Sequence, residues 1–294
     1  MKRLLFVFCT LCIVVQTPVW GWWASGHAVL TRAAVRALPE EVPAFFRAGE
    51  RTIAHLVKDP DVSKNRGAPL VREAEYPEHF LDREFLDGYE LPKTRYEYIQ
   101  LCNKAGVLPE KVGFVPYAVA EWTERLAVAF AEHRKWPENE TIRSKCLIYA
   151  GFLAHYAQDM CQPLHLTKHY NGWIGADGSV AQKGIHTKVD GLVDYLKMNP
   201  DDLAKGLKIT PLSDLMGDIL LQFQSGFDMV GKVYELGEQV PKFEDKSWKS
   251  VPEVVAFAQD RTRESVRFTA RLYLTAWQLS KKIELGSWLD RSKE

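Results

Sequence analysis

The chain has 294 residues, and its 38 lysines and arginines balance 38 aspartates and glutamates, so the formal net charge at pH 7 is zero. This balance argues against an electrostatic grip on long duplex DNA, which requires an excess of basic residues on one surface. The length suits one large domain or two small ones, and no linker rich in serine, glycine and proline interrupts it. We therefore predict a single domain.

The N-terminus has the features of a secretory signal peptide. Lys2 and Arg3 precede an apolar run over residues 4–15, which is too short to span a bilayer. The best cleavage point follows Gly21, so we predict that residues 1–21 are removed and that the mature domain, residues 22–294, begins at Trp22. The expected location is the periplasm or the outside of the cell.

Three cysteines remain after this predicted cleavage, namely Cys102, Cys146 and Cys161. An odd number in an exported protein allows at most one disulfide and leaves at least one free thiol. The sequence leaves the pairing open.

Apolar residues recur at helical spacing along most of the mature chain. In chain order, the predicted helical segments lie at about residues 27–38, 40–57, 92–105, 119–130, 140–161, 186–197, 212–230 and 268–279. Residues 59–78 and 166–185 are rich in Asp, Pro, Gly, Asn and Lys and are expected to be loops. No run of alternating apolar and polar residues indicates a strand, so we predict an all-α, single-domain multi-helix bundle.

The middle of the chain carries two His-x3-Asp motifs. His155 and Asp159 are four positions apart, as are His186 and Asp190, so on a helix each pair lies on one face and can bind one metal ion. His165 follows Asp159 by six positions, just after Pro163, which ends the predicted helix. A single pair of this kind is more often a surface ion pair or a buried histidine, but two pairs with a further histidine indicate a metal site. Imidazole and carboxylate ligands without thiolate favour zinc used for hydrolysis.

Two further histidines extend this pattern. His27 follows Trp22 in a Trp-x4-His motif, and Asp82 follows His79 by three residues. With these motifs the chain resembles, from Trp22 to about Asp190, the superfamily of secreted zinc-dependent phospholipases C and single-strand-specific nucleases of the nuclease P-one and nuclease S-one type.

The resemblance implies a cleft that holds three zinc ions. The ligands of the first ion would be Asp61, His79, His155 and Asp159. Those of the second would be His165, His186 and Asp190. Those of the third would be Trp22, His27 and Asp159, with Asp159 bridging two ions and Trp22 binding through its free α-amino group and carbonyl oxygen. Asp59 competes with Asp61 for the first ion, and we assign Asp61 by its match to the family pattern.

The resemblance also implies the chemistry, which is hydrolysis of phosphate esters by water that the zinc ions activate. Asp82 matches the family position that orients or deprotonates this water. The alternative role for Asp82 is that of a carboxylate that only holds a histidine ligand in place.

The substrate-related motifs divide between two branches of the superfamily. The short Trp-x4-His start and an aspartate at position 190 favour a nuclease acting on single-stranded DNA or RNA, which is the function we predict. Val189, where nucleases usually have Trp, and the His186-Thr-Lys188 sequence favour the alternative, a phospholipase C acting on phospholipid head groups. A non-catalytic zinc-binding protein is the third possibility. None of the three implies a stable protein partner, so we expect a monomer.

Overall fold

The described part of the chain is almost entirely helical, as the apolar periodicity predicts. The computed structural model describes residues 22–242, 245 and 247–292. Its α-helices are, in chain order, α1 (Ala24–Arg36), α2 (Ala44–Ala48), α3 (Glu50–Leu56), α4 (Asp59–Ser63), α5 (Pro69–Glu75), α6 (Arg95–Ala105), α7 (Pro109–Val112), α8 (Val115–Lys135), α9 (Glu140–Asp159), α10 (Ile185–Asp190), α11 (Leu192–Tyr195), α12 (Pro200–Ala204), α13 (Leu215–Phe227), α14 (Val230–Leu236) and α15 (Pro252–Leu279). Short 3-10 helices cover Tyr76–His79, Arg83–Leu86, Pro163–His165 and Ser280–Lys282.

The three longest of these helices form the main part of the core. α8 packs along α9 and α15, and α1 packs against α3, α9 and α15. The contact faces carry the residues whose spacing predicted helices, such as Leu126 and Phe130 of α8 and Phe268 and Leu272 of α15, all of them buried. Each such side chain contributes about 1.5–3 kcal/mol when it is fully buried. The packed apolar core therefore holds α1 and α9 in position, together with the polar side chains that they carry into the interior.

The limits of α9 follow from its own sequence. The side chain of Asn139 accepts a hydrogen bond from the amide of Ile142 (3.0 Å), as N-cap residues do. The helix ends at Asp159, shortly before Pro163, which cannot continue a helix. Its last turn is buried and carries His155 and Asp159 into the interior.

Two predicted helices are each interrupted at a glycine. The segment 40–57 forms α2 and α3, which meet at Gly49, and the segment 186–197 falls into α10 and α11, which meet at Gly191. A Cβ atom at Gly49 would lie 2.5 Å from Leu147, and one at Gly191 would lie 2.8 Å from the Trp23 ring. Both junctions therefore depend on the close approach that only glycine permits.

The prediction that residues 59–78 and 166–185 are loops is wrong in part. Residues 59–78 contain α4, α5 and most of a 3-10 helix, because Pro60 and Pro69 stand in the first turn of a helix, where a missing N–H costs no hydrogen bond. Residues 166–185 contain an antiparallel hairpin of β1 (Trp173–Ile174) and β2 (Val180–Ala181). Each strand has two residues, too few for an alternating pattern to be visible in the sequence.

The predicted signal peptide, residues 1–21, lies outside the described residues. Within the described ranges, no helix is both long enough and apolar enough to cross a membrane. Cys102, Cys146 and Cys161 are buried free thiols, so no disulfide joins any two of them.

Candidate metal centre

The histidine and aspartate side chains predicted as ligands lie in three groups of buried residues. Within each group the candidate ligand atoms lie within 4.8 Å of one another. We name the groups after one member of each. The Asp61 group is Asp61, His79 and His155; the His27 group is His27, His155 and Asp159; the His165 group is His165, His186 and Asp190.

Helical spacing produces two of the facing pairs directly. In α9, Nε2 of His155 lies 3.2 Å from Oδ2 of Asp159, and in α10, Nε2 of His186 lies 3.3 Å from Oδ2 of Asp190. Residues four positions apart lie one above the other on a helix. Both His-x3-Asp motifs therefore form the pairs that the sequence predicts.

The remaining candidate ligands come from four other elements. His27 lies on α1 and Asp61 on α4, while His79 and His165 are the last residues of two 3-10 helices. The chain segments that carry His79 and His165 run side by side, because the amide of Leu81 donates to the carbonyl oxygen of His165 (2.9 Å). Nδ1 of His165 in turn donates to the carbonyl oxygen of His79 (2.8 Å).

Asp159 lies between the groups and contacts members of all three. Its Oδ2 is 2.9 Å from Nδ1 of His79 and 3.2 Å from Nε2 of His155, while its Oδ1 is 3.4 Å from Nε2 of His27. Oδ2 also lies 3.8 Å from Nδ1 of His165. The two oxygens thus face different histidines, which is the arrangement that a bridging carboxylate needs.

Hydrogen bonds on the outer side of two rings fix the direction in which those rings face. Nδ1 of His27 donates to Oε1 of Gln158 (2.7 Å), and Nδ1 of His155 donates to the carbonyl oxygen of Val57 (2.8 Å). The amide of Gln158 is itself held by Thr31 (2.8 Å). With Nδ1 engaged, each ring turns Nε2 toward the carboxylates, as histidines that bind a metal do.

Buried atoms without partners provide a test of whether a metal ion fits. Among the described residues, Nε2 of His27 and Oδ1 of Asp159 are buried and have no hydrogen-bond partner, although they lie only 3.4 Å apart. Burying such atoms costs free energy unless something compensates them. A cation between them would do so, and the donor set of imidazole and carboxylate suits zinc.

Two carboxyl groups of the centre are held in the ionised form. Burial alone would raise the pKa of Asp61, but the neighbouring His155 and Lys64 outweigh it and bring the pKa to about 2. Burial likewise opposes ionisation of Asp159, yet the histidines that face it, His155 first, hold its pKa well below the ordinary value. Both side chains are therefore negative and ready to bind a cation.

The His165 group behaves differently. Burial raises the pKa of Asp190 well above its ordinary value, and burial together with His165 lowers the pKa of His186 well below its own. Both groups are thus pushed toward their neutral forms. A divalent cation would reverse this for Asp190, because a coordinated carboxylate gives up its proton.

The structure also locates the other predicted site residues. Trp22 is completely buried, and the backbone amide of the next residue, Trp23, donates to the carbonyl oxygen of Asp190 (3.3 Å), so this end of the chain lies beside the His165 group. Of the two competing aspartates, Asp61 belongs to a ligand group and Asp59 does not.

A cavity of about 600 Å³ opens beside the ligand groups, and its wall includes both Asp82 and His165. Burial raises the pKa of Asp82 to about 8, and Glu84 adds to the increase. The other lining residues are Pro69, Arg72, Glu73, Tyr76, Pro77, Phe80, Glu110, Lys111, Leu164 and Tyr170.

Lys64 is a candidate functional residue that the sequence analysis did not identify. Its Nζ lies 2.5 Å from Oδ1 of Asp61, and its side chain is only 7% exposed. Its charge also lowers the pKa of His165 and of His186. Lysine is almost never buried to this extent unless it is paired. The only feature of the sequence that could have indicated this pair is that Lys64 follows Asp61 by three positions, the spacing of neighbours on a helix.

Comparison with known proteins gives a match at the level of the fold. No protein-family model and no curated protein sequence matches the chain. Among solved structures, the alpha toxin from Clostridium absonum matches with a TM-score of 0.51 and 14% sequence identity, over 90% of this chain and 68% of the toxin. The chain shares its helical fold with this toxin. An alpha-toxin of Clostridium perfringens, from avian strain SWCP, matches with a TM-score of 0.42 and 14% identity, over 90% of this chain and 67% of that one.

Proposed function

We propose that this chain is a zinc-dependent hydrolase of phosphate esters and that it cleaves phosphodiesters of the phospholipid type. The observation that carries the proposal is the contact of Asp159 with all three ligand groups, beside a cavity that Asp82 also lines. A buried carboxylate shared in this way is expected where several cations act together on one substrate.

In this proposal three zinc ions occupy the centre. The residues that would hold them are Trp22, His27, Asp61, His79, His155, Asp159, His165, His186 and Asp190. When bound, zinc supplies positive charge for the phosphoryl oxygens and lowers the pKa of water. The absence of cysteine from the set and the open cavity beside it favour a catalytic over a structural role.

Two side chains outside the ligand groups would act on the substrate. Asp82 faces the cavity and would orient the attacking water and, in its ionised form, accept its proton as a general base does. Bound cations would favour that form, because their charge opposes the effect of burial that raises the pKa of Asp82 to about 8. Lys64 would place a positive charge against the phosphoryl oxygens, because its ammonium group lies next to Asp61, a member of one of the ligand groups. Both side chains are held in place by the fold, so they need no reorganisation during the reaction.

The cavity lining supports a phospholipid head group as the substrate. It combines three aromatic residues with two glutamates, namely Tyr76, Phe80, Tyr170, Glu73 and Glu110. Aromatic faces and carboxylates attract a cationic group such as a quaternary ammonium. Arg72 already lies 4.8 Å from the centroid of the Tyr76 ring, so Phe80 and Tyr170 are the better candidates for this contact.

A nuclease is the second candidate, favoured by the Trp-x4-His start and by the aspartate at position 190. The cavity supports it less well. Arg72 and Lys111 line the wall, but Glu73 and Glu110 accompany them, whereas binding along a polyanionic strand depends on an excess of positive charge. The fold match with a TM-score of 0.51 is to an alpha toxin, so this comparison adds no support for the nuclease that the sequence motifs predict.

The experiment that tests the proposal compares two substrates with one enzyme preparation. Protein beginning at Trp22 is incubated with a soluble short-chain phosphatidylcholine or with a single-stranded oligodeoxynucleotide, after chelation and after zinc is restored. We expect zinc to restore the release of phosphocholine, and Asp82→Asn protein prepared in the same way controls for contaminating enzymes. Cleavage of the oligonucleotide alone would favour the nuclease, and zinc-loaded protein that cleaves neither would contradict a phosphodiesterase.

A further inference from the structure

Glu75 contacts the ligand His79 from the side that faces away from the other ligands. Its Oε1 lies 3.4 Å from Nε2 of His79, an ion-pair distance at which that buried nitrogen forms no hydrogen bond to any described residue, while Nδ1 of the same ring lies 2.9 Å from Oδ2 of Asp159. The imidazole ring therefore stands between Glu75 and the ligand groups. Glu75 belongs to none of the three groups, which excludes it as a ligand in this arrangement.

From this geometry we infer that Glu75 is a positioning residue, whose carboxylate orients the His79 ring so that Nδ1 faces the metal. The inference rests on the metal-binding part of the proposed function and on no particular substrate. Glu75 is the last residue of α5 and precedes His79 by four positions, so local helical structure brings the two side chains together.

Tyr156 holds the same carboxylate oxygen that faces His79. Its hydroxyl donates a short hydrogen bond to Oε1 of Glu75, and its ring packs edge-on against His79 with 5.4 Å between the ring centroids. Tyr156 is 1% exposed and follows the ligand His155 directly in α9. One turn of α9 thus supplies both a ligand and the anchor for the residue that orients another ligand.

Glu75 differs in charge from the partners of the other ligand histidines. The outer nitrogens of His27, His155 and His165 contact neutral acceptors, an amide oxygen in the first case and carbonyl oxygens in the other two. A carboxylate in this position makes imidazole a stronger ligand and fixes its tautomer, and loss of such a partner typically weakens metal binding by about 10- to 100-fold. We therefore expect His79 to depend on its partner more than the other histidines do.

The test measures metal binding and not only activity. Metal-free wild-type, Glu75→Gln and Glu78→Gln proteins are titrated with zinc against a chromophoric competitor, and their cobalt-substituted forms are compared by visible absorption. Glu78→Gln is the matched control, since Glu78 adjoins His79 but both of its oxygens bind Arg95 (2.7 Å each). Loss of the ion pair between Glu78 and Arg95 should lower the melting temperature of metal-free Glu78→Gln protein and leave its zinc affinity unchanged.

We expect Glu75→Gln to weaken one zinc ion by about 10- to 100-fold, to change the cobalt spectrum, and to leave the other ions bound. Tyr156→Phe should weaken the same ion by a smaller factor, and it replaces Glu75→Gln if that variant fails to fold. If both variants bind zinc as tightly as the wild type and have the same cobalt spectrum, the role of Glu75 is wrong, while the proposed function is unaffected. A wild-type protein that binds no zinc would overturn the proposed function as well.

Discussion

Asp82 could act in catalysis or could only support a ligand, and the two roles predict different effects of Asp82→Asn on turnover and zinc content. It lines the cavity but belongs to none of the ligand groups. If it handles the proton of the attacking water, Asp82→Asn should lower turnover by about 10²–10⁴-fold and leave the zinc content unchanged. Metal analysis and a turnover assay on the same preparation check this.

The matched variant is Asp61→Asn, which removes a carboxylate from a ligand group and should reduce the zinc content. Normal turnover in Asp82→Asn would refute its catalytic role. Loss of zinc in that variant would show that Asp82 only supports a ligand.

Lys64 provides a second prediction at this scale. Replacing it with methionine keeps most of the buried volume but removes the charge beside Asp61. If the ammonium group stabilises the phosphoryl oxygens in the transition state, turnover should fall by about 10²-fold or more, with little change in KM. Steady-state kinetics of Lys64→Met, with Lys64→Arg as the variant that restores the charge, measure the effect. Unchanged turnover in Lys64→Met would assign Lys64 a purely structural role.

The residues differ in how far the sequence can reveal them. His155 with Asp159 and His186 with Asp190 are predictable because helical spacing alone brings each pair together. Gln158, which orients His27, is not, because its role depends on how α9 packs against α1. Lys64 also has helical spacing, three positions after Asp61, but lysine is usually exposed, so the sequence does not predict that it is buried at the site.

At the scale of elements, the packing of α9 against α3 determines where His155 lies. Gly151 of α9 lies against Leu56, the last residue of α3, and a Cβ atom there would come within 2.6 Å of the Leu56 side chain and 2.9 Å of its backbone. The next residue, Val57, provides the carbonyl that orients His155. This contact between two helices is therefore linked directly to a ligand.

We accordingly predict that Gly151→Ala costs about 1–3 kcal/mol of the free energy of unfolding, because backbone must move to admit the methyl group. It should also weaken zinc binding. Gly231→Ala is the control, since a Cβ atom at Gly231 of α14 meets nothing within 4 Å and should stabilise the protein by about 0.5–1 kcal/mol. Urea unfolding of the metal-free proteins measures both values. If Gly151→Ala is as stable as the wild type, α3 and α9 can move apart at that point without loss of free energy.

The short elements around the site are the ones that sequence periodicity misses. α4 and α5 have five and seven residues, and the segment that contains them reads as a loop because of its prolines and charged residues. Helices of this length are not stable alone and form because the rest of the molecule holds them. The long helices α8, α9 and α15 repeat their apolar pattern often enough to be predicted.

For the molecule as a whole, the ligand groups draw on residues from His27 to Asp190, most of the first two thirds of the chain. Composition and periodicity predict the all-α class, but they do not predict which loops and helix ends meet. The residues predicted as ligands come from the resemblance of the motifs to a known superfamily. Trp22, the remaining predicted ligand, would connect this arrangement to the predicted processing of the chain.

We predict that a protein with one extra glycine before Trp22 binds one zinc ion fewer than a protein that begins at Trp22. The nitrogen of a peptide bond shares its lone pair with the carbonyl group and cannot replace a free amine as a ligand. Metal analysis of both proteins by mass spectrometry measures the difference. An extended protein that keeps three zinc ions and full activity would contradict the role of the free Trp22 amine as a ligand.

The burial of the His27 group bears on how long a metal ion would stay in the protein. His27, His155 and Asp159 have no exposed surface, and α1 and α9, which carry them, pack against each other. An ion held there could leave only when these helices separate, a local opening with a rate of its own. Its residence time would then be set by the protein and not by the supply of competing chelators outside. Such an enzyme would keep its deepest ion in zinc-poor surroundings for as long as these two helices stay packed.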